Sequence, residues 1–335
     1  MNTQSEIIEY IQEQFSCSKV IKLEKIQTLW SGYGEISRYQ VMVQDGAKNI
    51  IVKSIVPPNV PTHPKGWQGD VSHLRKIKSY QVEANWYQDY ASTLSRASQV
   101  PHCFGVKSFA IDHPRHESSI ILLSDLDASG FSVRKQHLSV DESKVCIKWL
   151  AIFHANNLQD NHLASWPKGL WATGSYWYLA TRQNEYHAMQ ESNVKSAAYK
   201  LDDKLNRCRF KTIIHGDAKV ANFCFSADLS KVAAVDFQYV GAGCGMKDLV
   251  YFMGSCLSEH DCQESYEELL EYYFSQLSAA LQSRLDSCEI IEEWRPLFFV
   301  AWADFQRFLL GWSPEHHKIN DFSSAITQRG ISLVN

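Results

Sequence analysis

The sequence predicts an α+β protein of two lobes, a small β-rich lobe at the N-terminus and a larger, mainly helical lobe after it. Three observations predict it. The chain has 335 residues, more than one hydrophobic core usually organises, so two lobes sharing a cleft are expected. Strand-type alternation is concentrated between Val20 and Val56, where Ile26, Leu29, Tyr39, Val41, Val43, Ile50 and Val52 supply the apolar positions. Helical spacing dominates later, after a capping box from Ser139 to Glu142 that opens a helix carrying Val145, Trp149, Ile152 and Phe153. The expected boundaries are 1–123 for the first lobe, 124–130 for a polar, loop-like connection and 131–335 for the second lobe.

Composition narrows the function. At 45% hydrophobic and 21% charged residues this is an ordinary globular chain with enough apolar surface for a core. A net charge of −4 supplies no electrostatic footprint for nucleic acid. No apolar run approaches membrane-spanning length, and the opening segment, with Ile7, Ile11 and Phe15 at helical spacing and no basic start, reads as a surface helix, not a signal peptide. Nine cysteines without a CxxC pair argue for reduced thiols in the cytoplasm. Cys244 reads as a small packing residue, with a reactive thiol as the alternative.

In chain order, the first notable turn is Ser31-Gly32-Tyr33-Gly34-Glu35. Its glycines let backbone N–H groups approach a phosphate; Ser37 stands where a GxGxxG motif needs its third glycine, and a plain hairpin turn is the simpler reading. Lys53 follows in the apolar run NIIVKSIV, where a lysine must snorkel or find an anion. Past a Pro-rich loop (Pro57, Pro58, Pro61, Pro64) with Lys65 and Trp67, a helix is expected from about Ser72 to Leu94. Arg75, Lys76 and Lys78 are read with the solvated insertion that precedes it. Glu83 falls on the helix's apolar stripe with Tyr80 and Tyr87, so it wants a cation, and Lys53 is the candidate. Ser119 to Ser124 reads as a buried strand ending in the polar stretch Asp125-Leu126-Asp127-Ala128-Ser129-Gly130.

In the second lobe, His154 is read as a hydrogen-bonded core histidine. Trp166, Trp171, Tyr176, Trp177, Tyr178 and Tyr186 are read mostly as packing, with a few left to line a substrate pocket. Gly241 to Gly245 lacks the third glycine and the βαβ context of a dinucleotide site. Asp248, in KDLVYFM, is placed to cap the helix beginning at Met246. The acids between Leu257 and Glu293 form a solvated helix face, with attraction of a cationic substrate as the sharper alternative. In the last long helix, near Trp294 to Trp312, Asp304 and Trp312 are candidates to meet a substrate ammonium group.

The stretch Ile213 to Gln238, IIHGDAKVANFCFSADLSKVAAVDFQ, carries the chemistry. Short β-type runs flank a polar loop and bring Asp217, Asn222 and Asp236 to strand ends, which suits holding a hydroxyl against a metal-bound phosphate. The plain alternative is a hairpin with turn-forming Asp and Asn. The Asp217 to Asn222 spacing matches the kinase catalytic loop, and Asp236-Phe237-Gln238 stands where kinases have Asp-Phe-Gly. With Gly216 in place of the usual Arg, the chain resembles the aminoglycoside phosphotransferase and choline kinase-like superfamily. Its DFQ ending is most similar to the ecdysteroid kinase-like branch.

That resemblance, which runs over nearly the whole chain, implies a bilobal protein kinase-like α+β fold and an ATP- and Mg2+-dependent kinase acting on a small hydroxylated molecule. By it, Asp217 is the catalytic base, Asn222 and Asp236 hold magnesium, and Asp248 braces the catalytic loop; Lys219, two residues after Asp217, either reaches the γ-phosphate or is a solvated loop lysine. Lys53, paired with Glu83, steadies the nucleotide phosphates beneath the turn of Ser31, Gly32 and Gly34, and the backbone of Ser124 and Leu126 takes the adenine edge. The HGD form and the absence of an APE-like ending disfavour a protein kinase. Two further alternatives are a non-catalytic nucleotide-binding module and a metal-dependent hydrolase built on His215, Asp217 and Asp236. Choline-like amines, aminoglycosides, sugars and steroid-like alcohols all remain open as acceptors.

Overall fold

The computed structural model describes residues 3–58, 71–110, 117–160, 167–282 and 284–335; Pro61, Pro64, Lys65, Trp67 and Trp166 lie outside them. The chain divides into two compact units, Met1–Thr93 with Val100–Ser132, and Leu94–Gln99 with Val133–Asn335. The architecture is α+β, with the larger sheet confined to the first unit and most helices in the second.

In the first unit, helix α1 (Thr3–Phe15) precedes strands β1 (Val20–Thr28), β2 (Gly34–Val43) and β3 (Gly46–Ile55), then α2 (Val71–Asn85), β4 (Cys103–Ala110) and β5 (Glu117–Ser124). The strands form one antiparallel sheet in the order β1-β2-β3-β5-β4. Ile7, Tyr10 and Ile11 of α1 pack against Tyr39, Val41, Ile50, Val52, Ile120 and Leu122, so the period-2 positions of the central strands build this core. Ile26 departs from expectation, being 47% exposed beside Ile21 and Leu23. The reason is position: β1 is an edge strand, irregular between Lys22 and Glu24 and between Lys25 and Gln27, and from Ile21 to Thr28 its side chains are exposed on both faces, so alternation there buries nothing.

The helix expected from Ser72 to Leu94 changes pitch. After α2 it continues as a π turn (Trp86–Tyr90) and a 3-10 turn (Ala91–Thr93). Trp86 and Tyr87 are both buried, an adjacent pair that one regular α-helical face accommodates poorly. Arg75, Lys76 and Lys78, expected in the preceding loop, belong to α2. The polar stretch after β5 is clamped to β2: Arg38 Nε donates to Asp125 at 2.8 Å and Arg38 Nη2 to Asp127 at 2.5 Å, which explains why residues 124–132 group with the first unit.

Gly34 has φ +132°, and a Cβ on it would lie 1.9 Å from the Ser54 carbonyl oxygen. Gly34→Ala is therefore expected to cost about 2–4 kcal/mol, from left-handed strain and overpacking together; a lowered denaturant midpoint with an unchanged m-value would check it.

The second unit contains α3 (Val140–Asn157), β6 (Gln159–Asp160), α4 (Gln183–Ala188), α5 (Asn193–Asn206), β7 (Phe210–Ile214), β8 (Phe223–Phe225), β9 (Val232–Ala234), β10 (Gly241–Gly243), α6 (Met246–Cys256), α7 (Glu259–Leu281), α8 (Ser287–Trp312) and α9 (Asp321–Ser332). The capping box forms: Ser139 Oγ accepts the Glu142 N–H at 3.2 Å, and Glu142 accepts the Ser139 N–H at 2.9 Å. On α7 the apolar stripe of Leu269, Leu270, Tyr273, Phe274 and Leu277 is buried, and its acids face solvent, Glu268 meeting Lys144 at 2.8 Å. Helix α8 is buried over most of its length, with Trp294, Phe298, Trp302 and Phe305 inside. Two small sheets, β10-β7-β6 and β8-β9, hold the loops that carry the polar residues of the HGD stretch.

Candidate active site

The runs flanking the polar loop do not pair with each other. β7 lies between β10 and β6, and β9 pairs with β8, so the stretch is not a simple hairpin. Between β7 and β8 the chain passes through His215, Gly216, Asp217 and a 3-10 turn, Val220–Asn222. Gly216 has φ +75°, and a Cβ there would lie 2.1 Å from the Tyr239 carbonyl oxygen. Only glycine fits, so the loop can press against the backbone following Asp236.

His215 is fully buried, and both of its ring nitrogens are engaged. Nε2 donates to the Val235 carbonyl at 3.0 Å, and Nδ1 accepts the Asp217 N–H at 3.3 Å. This tautomer leaves no lone pair for a metal and no free nitrogen to act as a base, which removes the hydrolase alternative. His154, as expected, is a core histidine, with Nδ1 2.8 Å from the Tyr273 hydroxyl and Nε2 3.0 Å from Asp248. Asp248 resolves toward the bracing role: one carboxylate oxygen accepts the His215 N–H at 2.6 Å, the other the Gly216 N–H at 2.8 Å.

Asp217 is 4% exposed. Its Oδ2 accepts Lys219 Nζ at 3.0 Å and Asn222 Nδ2 at 3.1 Å, while Oδ1 is buried without a hydrogen bond among the described residues. A buried carboxylate oxygen left without a donor is costly unless something else satisfies it. The Asp217 charge raises the Lys219 pKa, with Asp236 adding to it. Burial pushes up the Tyr251 hydroxyl, with the Asp217 carboxylate next, through its charge and a side-chain interaction with the hydroxyl; it also pushes up the Tyr176 hydroxyl, where Asp217 adds to the rise after Tyr239 and Arg182 opposes it, so both rings lie within electrostatic reach of Asp217.

Asn222 Nδ2 also donates to the Asp217 carbonyl at 2.8 Å. With its nitrogen so occupied, the amide presents its carbonyl oxygen, the end a hard cation requires. Asp236 adopts φ +67°, a conformation rare for a residue with a side chain and often retained at functional positions; its Oδ1 accepts Gln238 Nε2 at 2.6 Å. Among the described residues no group of three His, Cys, Asp or Glu forms a metal cluster. A carboxylate, an amide oxygen and phosphate oxygens need none, so the donor set fits magnesium.

In the first unit Lys53 and Glu83 are buried and paired, Nζ lying 2.8 and 2.6 Å from the two carboxylate oxygens. The glycine turn is a 3-10 turn, Trp30–Gly32, with Ser31 at φ 56°. Its Gly32 N–H is already donated to Leu29 at 3.2 Å, and Tyr33 is buried with its hydroxyl hydrogen-bonded to His73. The Ser124 N–H is likewise taken, by the His102 carbonyl at 2.8 Å, while Leu126 accepts from the Ser129 and Phe131 N–H groups. Of this expected adenine pair the Leu126 N–H is the donor with no hydrogen bond among the described residues.

Asp304 requires correction. It is fully buried, accepts Arg307 Nε at 2.8 Å and Trp177 Nε1 at 3.1 Å, and lies 3.9 Å from Lys247 Nζ. It is a core anion neutralised by its own helix and has no exposed oxygen for a substrate ammonium. Trp312, half-buried, stacks on Phe308 at 6.2 Å within an aromatic cluster that includes Trp177, Tyr251 and Phe305. Sequence reading singled out neither Tyr251 nor Lys318, which belong to this neighbourhood; only the packing of α6 and of the turn before α9 brings them there. Burial raises the Cys244 thiol well above its usual value, as a packing residue requires.

Comparison with known proteins bears on the family and the fold. The sequence model of the ecdysteroid kinase-like family matches residues 44–165 and 172–285. No curated protein matches the sequence. Among solved structures, the chain is similar to a microcompartment-associated aminopropanol kinase, at 14% identity over 98% of this chain and 96% of that one, with a TM-score of 0.50. It is also similar to an amicoumacin kinase solved with AMP-PNP, Ca2+ and Ami, at 13% identity over 100% of this chain and 96% of that one, with a TM-score of 0.52. At such identities the likeness is one of fold. No described helix is long and apolar enough to cross a membrane.

Proposed function

The matched segments take in well over half of the chain, so this protein belongs to the ecdysteroid kinase-like family, and on that premise we propose that it transfers the γ-phosphoryl group of ATP to a hydroxyl of a small molecule. The observation that carries the reading is the state of Asp217. One oxygen is held by Lys219 and Asn222, and the other is buried with no hydrogen bond among the described residues. That is the condition of a carboxylate able to accept a hydrogen bond from an incoming hydroxyl.

In this reading Asp217 orients the acceptor hydroxyl and takes its proton as the oxygen attacks phosphorus. Asn222, through its carbonyl oxygen, and Asp236 would hold magnesium, which when bound offsets charge on the phosphate oxygens. Lys219 pairs with Asp217 and offers its ammonium to the transferring group. In the first unit Lys53, held by Glu83, would meet the α- and β-phosphates of ATP, and the Leu126 N–H the adenine edge. The acceptor is a small hydroxylated molecule, and the net charge of −4 offers no electrostatic footprint for nucleic acid.

The test is ATP consumption with magnesium across hydroxylated amines, sugars, aminoglycosides and sterols. An acceptor-dependent signal supports the reading; ATP binding with no response to any acceptor, or no ATP binding, defeats it. Lys53→Met is expected to weaken ATP binding about 10- to 100-fold, the loss of one charge-assisted contact worth about 1.5–3 kcal/mol, as titration calorimetry with ATP and magnesium would read directly.

A further inference from the structure

Lys318 lies in the turn between α8 and α9, where its own N–H donates to His316 Nδ1 at 3.2 Å. Its Nζ stands 5.5 Å from the Tyr251 ring centroid and 5.8 Å from that of Phe305. Those rings belong to the aromatic cluster that also packs Tyr176, Phe308, Trp312 and Ile319. Tyr251 and Tyr176 both sense the Asp217 carboxylate, so one aromatic wall runs from the catalytic carboxylate to the Lys318 ammonium.

The neighbouring cations are committed. Lys219 is on Asp217, Arg182 donates to Glu185 at 3.0 Å and to the Tyr176 carbonyl at 2.7 Å, and Arg307 is on Asp304. The Lys318 ammonium forms no hydrogen bond or ion pair among the described residues, although it is half-buried against apolar rings. A partly desolvated ammonium over ring surfaces retains strong donor capacity. On the same aromatic cluster as Tyr251, and within electrostatic reach of Asp217, it attracts oxygen and repels a second cation.

We infer that Lys318 is a specificity-determining residue of the acceptor side: its ammonium donates to an oxygen of the acceptor and disfavours acceptors carrying a positive charge at that point. This rests on Asp217 being where the acceptor hydroxyl reacts. The Lys318 pKa is lowered to about 8, chiefly by burial; Lys219 lowers it as well, and Asp217 and Cys256 oppose the shift. His316 and His317 on its own turn and the Tyr251 ring, with its hydroxyl, also lie near it. The ammonium is therefore charged below about pH 8 and lost above it, so the discrimination should relax as pH rises through that value.

Three matched probes test this: 4-methylcyclohexanol, 4-aminocyclohexanol and 4-hydroxycyclohexanecarboxylate, each with ATP and magnesium, scored by phosphorylation and by binding from tryptophan fluorescence. The wild type is expected to favour the neutral and anionic probes over the amine by about tenfold or more at pH 7, with the preference narrowing by pH 9. Lys318→Gln should flatten the ratios and remove their pH dependence, and Lys318→Glu should invert the order of the anionic and cationic probes. Charge-ordered binding without turnover would defeat the phosphotransferase reading and leave the role of Lys318 standing. Equal binding of the three probes, no binding of any, or variants that change all three or ATP affinity alike would overturn the inference.

Discussion

Asp217→Asn is expected to lower kcat by about 10²–10⁴-fold, the usual contribution of a positioned general base, with ATP binding and thermal stability close to wild type. The substitution is isosteric, and the asparagine carbonyl can still accept from Lys219 and Asn222, the two donors now held at 3.0 and 3.1 Å. What changes is the other end of the group. The buried Oδ1 position, without a hydrogen bond among the described residues, becomes an N–H2 that repels the acceptor's hydroxyl proton. Lys219 also loses the charge that most raises its pKa. Initial rates with saturating ATP, alongside a melting curve, separate the two outcomes. Retained activity would remove Asp217 from the chemistry, and a fall in stability that matches the fall in rate would make it a folding residue.

Asp248→Ala is expected to cost about 3–5 kcal/mol of stability and most of the activity. Three buried donors converge on this carboxylate: the His215 and Gly216 N–H groups at 2.6 and 2.8 Å and His154 Nε2 at 3.0 Å. Each left unsatisfied costs about 1–3 kcal/mol, and the helix–loop connection that holds Asp217 in place goes with them. The carboxylate is fully buried, so water cannot readily replace it. Denaturant unfolding gives the energy. Asp248→Asn provides the graded control, since its one carbonyl oxygen can serve only part of the set and its N–H2 faces a donor; it should fall between alanine and wild type.

Much of the site was legible because its parts are short-range. Gly216 is demanded by a left-handed φ and a 2.1 Å approach, and Asp217, Lys219 and Asn222 meet within a single loop. The Lys53–Glu83 pair was also readable, since a lysine in an apolar strand and a glutamate on an apolar helix stripe each need a partner, and the next helix supplies it. Spacing failed where a strand lies uncovered. Ile26 kept its place in the alternation, but its edge strand is exposed on both faces.

By itself, then, the sequence determined the α+β class, the order of the motifs and the local loop that presents Asp217, since turn chemistry, helix capping and hydrophobic periodicity act over a few residues. Tertiary structure decided which distant residues join that loop. Asp304 and Trp312 lie on one helix, yet packing buries the first against Arg307 and Trp177 and leaves the second half-exposed on Phe308. Asp248 reaches back across 33 residues to His215, and Lys318 comes to the Tyr251 ring through the turn between α8 and α9. Such meetings depend on how whole helices pack, a sum over many weak contacts that no single spacing in the chain records.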